Sequence, residues 1–493
     1  MHSDARSLPD GTHLKSDLCV VGAGAAGITI AKEFADTKFD VTLLEAGGFT
    51  REPAVQSLYE GTNTGLPYFP LQQARLRYFG GTTNHWSGLC APLDPIDFED
   101  RDWVPKSGWP LSLNELDPFY RRAHPVCDLG AFNYDLDDWK TQSDDFSSLL
   151  FEGPAIETKL FKWSAPTRFG DQYRSIITQS DNLTLWTHAN VTGIQTSKDD
   201  TRVDGLHVQC LNGKAHHVEA DRYVLACGGL ENPRLLLANN IGNETVGRYF
   251  MEHPHVRSGT LLLSEWPSLA YTFLGSPPGV AGQPFALLSL DTERQREHAL
   301  LNYTCCLLSE ESNRSLPTWM YGLPNMRQFE EYLKYHLGSP PPFTIQARIE
   351  QRPNPDSRVT LSDDTDALGQ PKIELHWTLT DQEKRTIRVA TETLAKEVGQ
   401  RGIGRVQISE WLTNGTDAWP DFLHGGWHHM GTTRMSESET RGVVDSNCRV
   451  HGMQNLFVAG SSVYPTSGTA NPTLTLVALA IRLADHLKTN LNR

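Results

Sequence analysis

One stretch near the amino terminus, residues 17–48, constrains the fold more than any other part of the chain. Residues 18–21 form a short apolar run typical of a buried strand, and the pattern Gly22-x-Gly24-x-x-Gly27 follows directly. Residues 28–35 then have the composition of a helix, and residues 41–44 that of a second buried strand. This order is typical of the first unit of a doubly wound α/β sheet and predicts a nucleotide site.

Each glycine of this pattern has its own predicted role. Gly22 permits a tight turn from strand to helix, Gly24 lets the backbone approach a pyrophosphate, and Gly27 lets the helix pack closely on the strand. The amino end of the helix offers unpaired N–H groups and a positive dipole to the phosphates. Glu45 ends the second strand, where it can accept hydrogen bonds from an adenosine ribose. This stretch alone does not distinguish NAD from FAD.

Length and charge narrow the class of protein. The 493 residues allow two or three domains, and 44 Lys plus Arg against 59 Asp plus Glu give a net charge of −15. An acidic chain without a basic run is a poor partner for nucleic acid or an anionic membrane. No apolar run reaches the ~20 residues of a membrane span, and the first residues lack a secretory signal pattern. We therefore expect a cytoplasmic protein whose residues 1–17 form a short flexible lead.

The middle of the chain predicts further strands and helices. Strands are predicted at 183–186, 190–194, 205–208, 215–220 and 223–227, and helices at 116–123, near 326–336, and at 381–398. Residues 223–227 run into Gly228 and Gly229 and then a helix, which repeats the arrangement at residues 17–48 without a second full glycine pattern. This argues against a separate NAD domain. The paired Gly80 and Gly81 suit either an ordinary turn or a backbone lying against a planar ring.

The last 70 residues hold the candidate chemistry. His424 and His428 have the spacing of a metal pair on a helix, but the two glycines between them disfavour a helix and no carboxylate motif completes a site. No metal is therefore predicted. Asn471 suits the amino-terminal cap and Pro472 the first position of the closing helix, predicted at 474–487. A helix cap and a substrate would compete for the same Asn471 side chain.

Six blocks of sequence together resemble the glucose–methanol–choline oxidoreductases, in the branch similar to pyranose oxidase and bacterial sugar dehydrogenases. In chain order they are GAGAAG…LLEAGG, GGTTNHW, LACGGLENPRLLL, VGRYFMEHP, WHHMGTTRM and GTANPT. The blocks are spread along almost the whole chain in the family's order. Between them, residues 256–420 resemble the family only loosely, and in the family this region usually determines the choice of substrate. The resemblance implies a discontinuous Rossmann-like FAD-binding domain of α/β class, at 14–105, 181–255 and 440–493. It implies an α+β substrate-binding domain on a mixed or antiparallel sheet, at 106–180 and 256–439.

The resemblance also assigns roles to single residues. His428 falls at the active-site base and Asn471 at the second catalytic position. His85 matches a position that some members bond covalently to FAD and others do not, and both states stay open. Val191 matches a backbone contact to the adenine. The cofactor-binding residues implied are Gly22, Gly24, Ala25, Ala26, Gly27, Glu45, Ala46, Gly80, Gly81, Thr83, Asn84, His85, Val191, Ala226, Cys227, Gly228, Gly460, Ser461, Asn471, Pro472 and Thr473.

The expected activity is oxidation of a CH–OH group, in a sugar, polyol or secondary alcohol, to a carbonyl by hydride transfer to flavin N5. His428 would take the hydroxyl proton, and oxygen, a quinone or a redox protein would accept the electrons. Two alternatives stay open: a non-redox lyase that keeps FAD as a structural element, and a dehydrogenase subunit that passes electrons to a protein partner. The sequence does not predict the particular alcohol, the choice between oxidase and dehydrogenase, or the oligomeric state.

Overall fold

The computed structural model describes residues 1–142, 153–264, 282, 284–309, 340 and 342–491. The strands in these residues are β1 His2–Asp4, β2 His13–Val21, β3 Val41–Leu44, β4 Gly61–Asn63, β5 Leu89–Cys90, β6 Ile156–Trp163, β7 Leu183–Thr187, β8 Asn190–Thr196, β9 Val203–Gln209, β10 Ala215–Leu225, β11 His255–Leu263, β12 Pro284–Leu290, β13 Tyr303–Ser309, β14 Phe343–Ile349, β15 Arg358–Thr365, β16 Pro371–His376, β17 Gly404–Ile408 and β18 Leu456–Val458. The helices are α1 Ala25–Phe34, α2 Pro53–Gln56, α3 Leu113–Val126, α4 Leu136–Gln142, α5 Phe169–Gln179, α6 Glu231–Ala238, α7 Thr292–Glu297, α8 Asp381–Gln400 and α9 Pro472–Leu491. The helix predicted near 326–336 lies outside the described residues.

The first sheet is mostly parallel and has the order β1-β7-β3-β2-β10-β9-β8, with β18 beside the end of β10. β2 lies between β3 and β10 and pairs in parallel with both. Helices cover this sheet: α1 packs against α5 and α9, and α9 packs against α3. The predicted Rossmann-like unit is confirmed. The two strands predicted at 215–220 and 223–227 are one continuous strand, β10.

The expected flexible lead is wrong. His2–Asp4 form the edge strand β1, which pairs in parallel with β7 so that His2 lies opposite Leu185. Ala5 is fully buried behind this strand, and β2 already begins at His13. The backbone of the first residues therefore completes the sheet, although their side chains carry no hydrophobic alternation.

The second sheet is antiparallel and has the order β17-β11-β14-β13-β12-β6-β5, and a small third sheet has the order β15-β16-β4. The helix predicted at 381–398 is confirmed as α8, which begins with a capping box between Thr380 and Glu383 and packs against the second sheet. The fold class is therefore an α/β unit joined to a second, antiparallel unit. The division into domains by residue ranges stays a prediction, and α3 and α5, from the range assigned to the substrate domain, pack on helices of the first sheet.

Two further properties concern the helices and the cysteines of the described residues. None of the described helices is long and apolar enough to cross a membrane. All eight cysteines are free thiols, and seven of them are buried.

Candidate active site

A cavity of about 400 Å³ lies at the carboxyl ends of β2 and β10, where two glycine turns of the first sheet meet. Ligands of open parallel sheets bind at this edge. The cavity is lined by most residues predicted for the site: Gly22, Gly24, Ala25, Ala26, Glu45, Gly81, Thr83, His85, Ala226, Cys227, Gly228, His428, Gly460, Ser461, Asn471, Pro472 and Thr473. The predicted Ala46 and Val191 line a smaller cavity of about 40 Å³ that shares Gly22 and Glu45 with the large one. Gly27, Gly80 and Asn84 lie outside both walls.

Glycines at the amino end of α1 allow close packing of the backbone and leave space for a ligand. Gly22 has φ +97°, and a Cβ there would lie 2.8 Å from the carbonyl oxygen of Ala226. A Cβ on Gly27 would lie 1.9 Å from the carbonyl oxygen of Gly22, so only glycine lets α1 approach the turn. A Cβ on Gly24 would meet no atom within 4 Å, while one on Gly81 would lie 2.9 Å from the Gly24 Cα. The space left open at Gly24 faces the cavity.

Glu45 is fixed at the end of β3 by two backbone amides. The N–H of Ala23 donates to one carboxylate oxygen and the N–H of Gly47 to the other, each at 2.9 Å. Burial raises the pKa of Glu45 against the effect of these amides. The carboxylate is thus held rigidly in the cavity wall with lone pairs left for a ligand hydroxyl.

A buried cluster of arginines, which the sequence did not predict, lies in and beside the cavity walls. Glu231 accepts from Arg75, Arg77 and Arg234 at 3.2, 3.3 and 2.5 Å, respectively. Although burial opposes its ionisation, the three guanidinium groups hold the pKa of Glu231 well below its ordinary value. Three cations around one carboxylate leave a positive surplus, and Arg75 lines the large cavity. This surplus favours an anionic ligand.

One buried carboxylate, that of Glu252, holds the backbone of the segment 425–429 in place. The backbone N–H groups of Gly426, His428 and His253 donate to Glu252 at 2.9, 3.0 and 3.1 Å, and the hydroxyl of Tyr68 donates to it as well. Burial raises the pKa of Glu252 to about 7, against these four hydrogen bonds. Glu252 therefore fixes the backbone that carries His428.

The tautomer of His428 follows from its partners. Its Nδ1 lies 2.8 Å from Nδ1 of His253, whose Nε2 lies 3.3 Å from the carbonyl oxygen of Ser467. A carbonyl only accepts, so Nε2 of His253 carries hydrogen, and burial lowers the pKa of His253 to about 4 and keeps it neutral. Nδ1 of His253 must then accept from Nδ1–H of His428. This assignment leaves Nε2 of His428 with a free lone pair.

The electrostatic setting keeps His428 unprotonated. Burial, with the neighbouring His253, Arg348 and His429, lowers the pKa of His428 well below 6.5. His429 lies beside it but turns to another partner: its Nε2 lies 3.0 Å from the hydroxyl of Tyr68, which donates to Glu252. Both histidines line the cavity, but Nε2 of His429 is tied into the support of the loop, whereas Nε2 of His428 stays available.

Asn471 lies in the same cavity wall, directly before α9. Among the residues that the structure describes, its side chain makes no hydrogen bond, so the competition between cap and ligand does not arise there. Pro472 is the first residue of the helix, as predicted. Asn471 and His428 therefore line one cavity, and no described residue uses the side-chain amide of the one or Nε2 of the other in a hydrogen bond.

His85 also offers an unused nitrogen. Its ring stacks on Trp427 with centroids 4.9 Å apart and planes 22° apart, and its Nε2 is buried without a hydrogen-bond partner among the described residues. Burial, with Arg168, lowers the pKa of His85, so the ring is neutral. His424, by contrast, bonds through Nδ1 to the carbonyl oxygen of Gly425, and it does not share a ligand position with His428.

The sequence did not predict the residues that hold the site in place. Glu252 and His253 lie in the quoted block VGRYFMEHP, and Tyr68 and Arg75 precede GGTTNHW. Their adjacency to His428 and the cavity arises only from tertiary packing, and no local pattern signals it.

Comparisons with known proteins bear on the family and on the fold. Two models of the GMC oxidoreductase family match, the amino-terminal one over residues 173–255 and the carboxyl-terminal one over residues 353–480. The fructose dehydrogenase large subunit of Gluconobacter japonicus is 22% identical, over 97% of this chain and 99% of that protein. Pyranose 2-oxidase of Tricholoma matsutake is 24% identical, over 86% of this chain and 76% of that protein.

The fold has solved counterparts. The crystal structure of formate oxidase superposes with a TM-score of 0.63 at 18% identity, over 98% of this chain and 99% of that one. Matches to both family models, relatives that span the chain and a shared fold lead to one conclusion: the chain is a flavoprotein oxidoreductase of the GMC family.

Proposed function

We propose that this protein oxidises a CH–OH group of a sugar or polyol to a carbonyl, with FAD as the electron acceptor and His428 as the base. The observation that carries the proposal is the hydrogen-bonding chain from Ser467 through His253, which leaves Nε2 of a neutral His428 unprotonated in the cavity wall. Such a nitrogen is the acceptor that alcohol oxidation requires.

The chemistry of the cavity suits FAD. The open side of Gly24 and the amino end of α1 fit a diphosphate, and the surplus charge around Arg75 adds to the attraction. Glu45 is fixed where a ribose hydroxyl can donate to it, and Val191, in the same small cavity as Glu45, lies on the side where the adenine would extend. The buried, unpartnered Nε2 of His85 is a further contact available to the cofactor. When bound, FAD supplies a two-electron acceptor for the hydride of the substrate.

The residues of the chain handle the proton. A CH–OH group releases hydride far better once its hydroxyl proton is leaving, so a base must reach that proton. Nε2 of His428 accepts it, and the imidazolium charge that forms is shared along the hydrogen bond to His253. General-base assistance of this kind contributes ~100- to 10,000-fold in rate.

Asn471 completes the proposed pair. Its amide N–H donates to the substrate oxygen and stabilises the negative charge that develops there, while the positive end of α9 adds to the same field. Because the Asn471 side chain has no partner among the described residues, no hydrogen bond with them must break before it binds substrate.

The substrate class rests on the relatives and on one aromatic ring. Fructose dehydrogenase and pyranose 2-oxidase are named for sugars. Trp427 stands next to His428 with 37% of its surface exposed and lines the cavity. A flat indole face beside the base suits the apolar C–H face of a sugar ring.

Anaerobic mixing of the FAD-loaded protein with a panel of sugars, polyols and simple alcohols tests the function. We expect bleaching of the flavin absorbance with at least one sugar or polyol. A lyase would bleach with none of the panel, whereas an electron-transferring subunit would bleach but fail to turn over with oxygen or soluble dyes. Bleaching by simple alcohols alone would contradict the sugar or polyol proposal.

A further inference from the structure

The first sheet carries a row of metal-ligating side chains far from the cavity. In the part of the chain that the structure describes, one group of three such side chains has its ligand atoms within 4.8 Å of one another: His13, His217 and Glu219. His13 and His217 lie directly opposite each other on the adjacent strands β2 and β10. Glu219 follows His217 by two residues, and alternate residues of a strand share one face. We propose that these three side chains bind a divalent transition-metal ion of the zinc type.

The distances suit a tetrahedral ion. One carboxylate oxygen of Glu219, Oε1, lies 3.0 Å from Nε2 of His13 and 3.8 Å from Nε2 of His217. Two ligands of tetrahedral zinc, each about 2.0–2.1 Å from the ion, lie roughly 3.3 Å apart. All three ligand atoms lie within 4.8 Å of one another, so side-chain rotations can bring them around one ion, and water completes the coordination.

The electrostatics also suit a cation. The carboxylate of Glu219 brings one negative charge to the group, and imidazole nitrogens are ordinary ligands of such an ion. Lys15 pairs with the other oxygen of Glu219, Oε2, at 2.7 Å and leaves Oε1 available. Lys15 is 73% exposed and can move into solvent when an ion binds.

The ring of His217 is pre-positioned by a glycine. A Cβ on Gly205, in the neighbouring strand β9, would lie 2.4 Å from Nε2 of His217, so the imidazole rests on the space that a side chain would fill. The ring of His13 lies 5.0 Å from that of His217 at a tilt of 58°, and Nε2 of each ring lies within 4 Å of the same carboxylate oxygen. The three groups remain partly exposed, which gives the ion a path of entry.

The ion would clamp the strands that carry the cofactor turns. His13 begins β2 and Val21 ends it, so the metal site lies roughly 26 Å from the cavity end of that strand at about 3.3 Å per residue. Binding there stabilises the folded state without touching the chemistry, and the inference does not depend on the proposed function.

Zinc titration of the full-length, FAD-loaded protein against a chelating dye tests the site. We expect one equivalent bound at low micromolar Kd or tighter, and a zinc-dependent rise in Tm. His13→Ala, His217→Ala and Glu219→Gln should each weaken binding by at least ~10-fold and abolish the rise in Tm, with flavin reduction by substrate unchanged. The matched control is His207→Ala, whose ring lies beside His217 outside the group and whose loss should change the Kd by less than ~2-fold.

Two results would overturn the assignment. One is the absence of a saturable equivalent of zinc in the wild-type protein, which would make the group a surface ion-pair network. The other is wild-type affinity in both His13→Ala and His217→Ala, which would place the bound zinc elsewhere.

Discussion

Substitutions of His253 test whether this residue sets the tautomer of His428, as we propose, or only supports the fold. In His253→Leu, Nδ1–H of His428 loses the acceptor that lies 2.8 Å away, in a place closed to water. A buried donor left without a partner costs about 1–3 kcal/mol, and this cost falls on the tautomer with a free Nε2. The same amount added to the barrier slows flavin reduction roughly 5- to 150-fold.

His253→Asn is the matched control. Its side-chain oxygen takes nearly the position of Nδ1 and can accept from His428, although the bond to Ser467 is weakened. We expect His253→Asn to recover most of the reduction rate that His253→Leu loses, with FAD content equal in both. Stopped-flow measurement of anaerobic flavin reduction at saturating substrate gives the rate. Reduction by His253→Leu within twofold of wild type, or equal losses in the two variants, would refute the tautomer argument.

Three further predictions address the pH profile, the loop and the cofactor. Because burial lowers the pKa of His428, kcat/KM should stay on its plateau as pH falls through 6.5 and decline only below it; a half-maximal point at or above 6.5 would contradict the buried neutral base. In Glu252→Gln, an NH₂ group replaces one of the two carboxylate oxygens that accept from the backbone N–H groups of the loop. We therefore expect flavin reduction to slow by ~10-fold or more with FAD retained. An unchanged rate would show that Glu252 does not position the loop. His85→Ala should lower FAD retention on gel filtration, and wild-type retention would remove His85 from the cofactor contacts. Acid precipitation of the wild-type protein distinguishes the two states of His85, because covalently bound flavin stays in the protein pellet and non-covalently bound flavin is released into the supernatant.

The local parts of the fold could be predicted because their causes are local. The positive φ of Gly22 and the close approach of Gly27 to Gly22 involve residues only a few positions apart, and both hold in the structure. The closing helix begins at Pro472 because a proline fits the first helical turn whatever packs around it.

Other features depend on partners distant in the chain. The edge strand His2–Asp4 exists because its backbone pairs with β7, about 180 residues later, and its side chains show no strand pattern. Glu231 and two of its arginines, Arg75 and Arg77, come from separate segments, as do Glu252 and the loop that it holds. The pairing of His13 with His217 is set by strand register, which neither segment specifies by itself.

The central claim is that His428 takes the substrate proton, and His428→Ala tests it most directly. FAD content and anaerobic flavin reduction are measured in this variant beside His424→Ala, a histidine four residues earlier that does not line the cavity. We predict that His428→Ala binds FAD as the wild type does and reduces it ~100- to 10,000-fold more slowly, while His424→Ala reduces it at nearly the wild-type rate. Rapid flavin reduction by FAD-loaded His428→Ala would contradict the account.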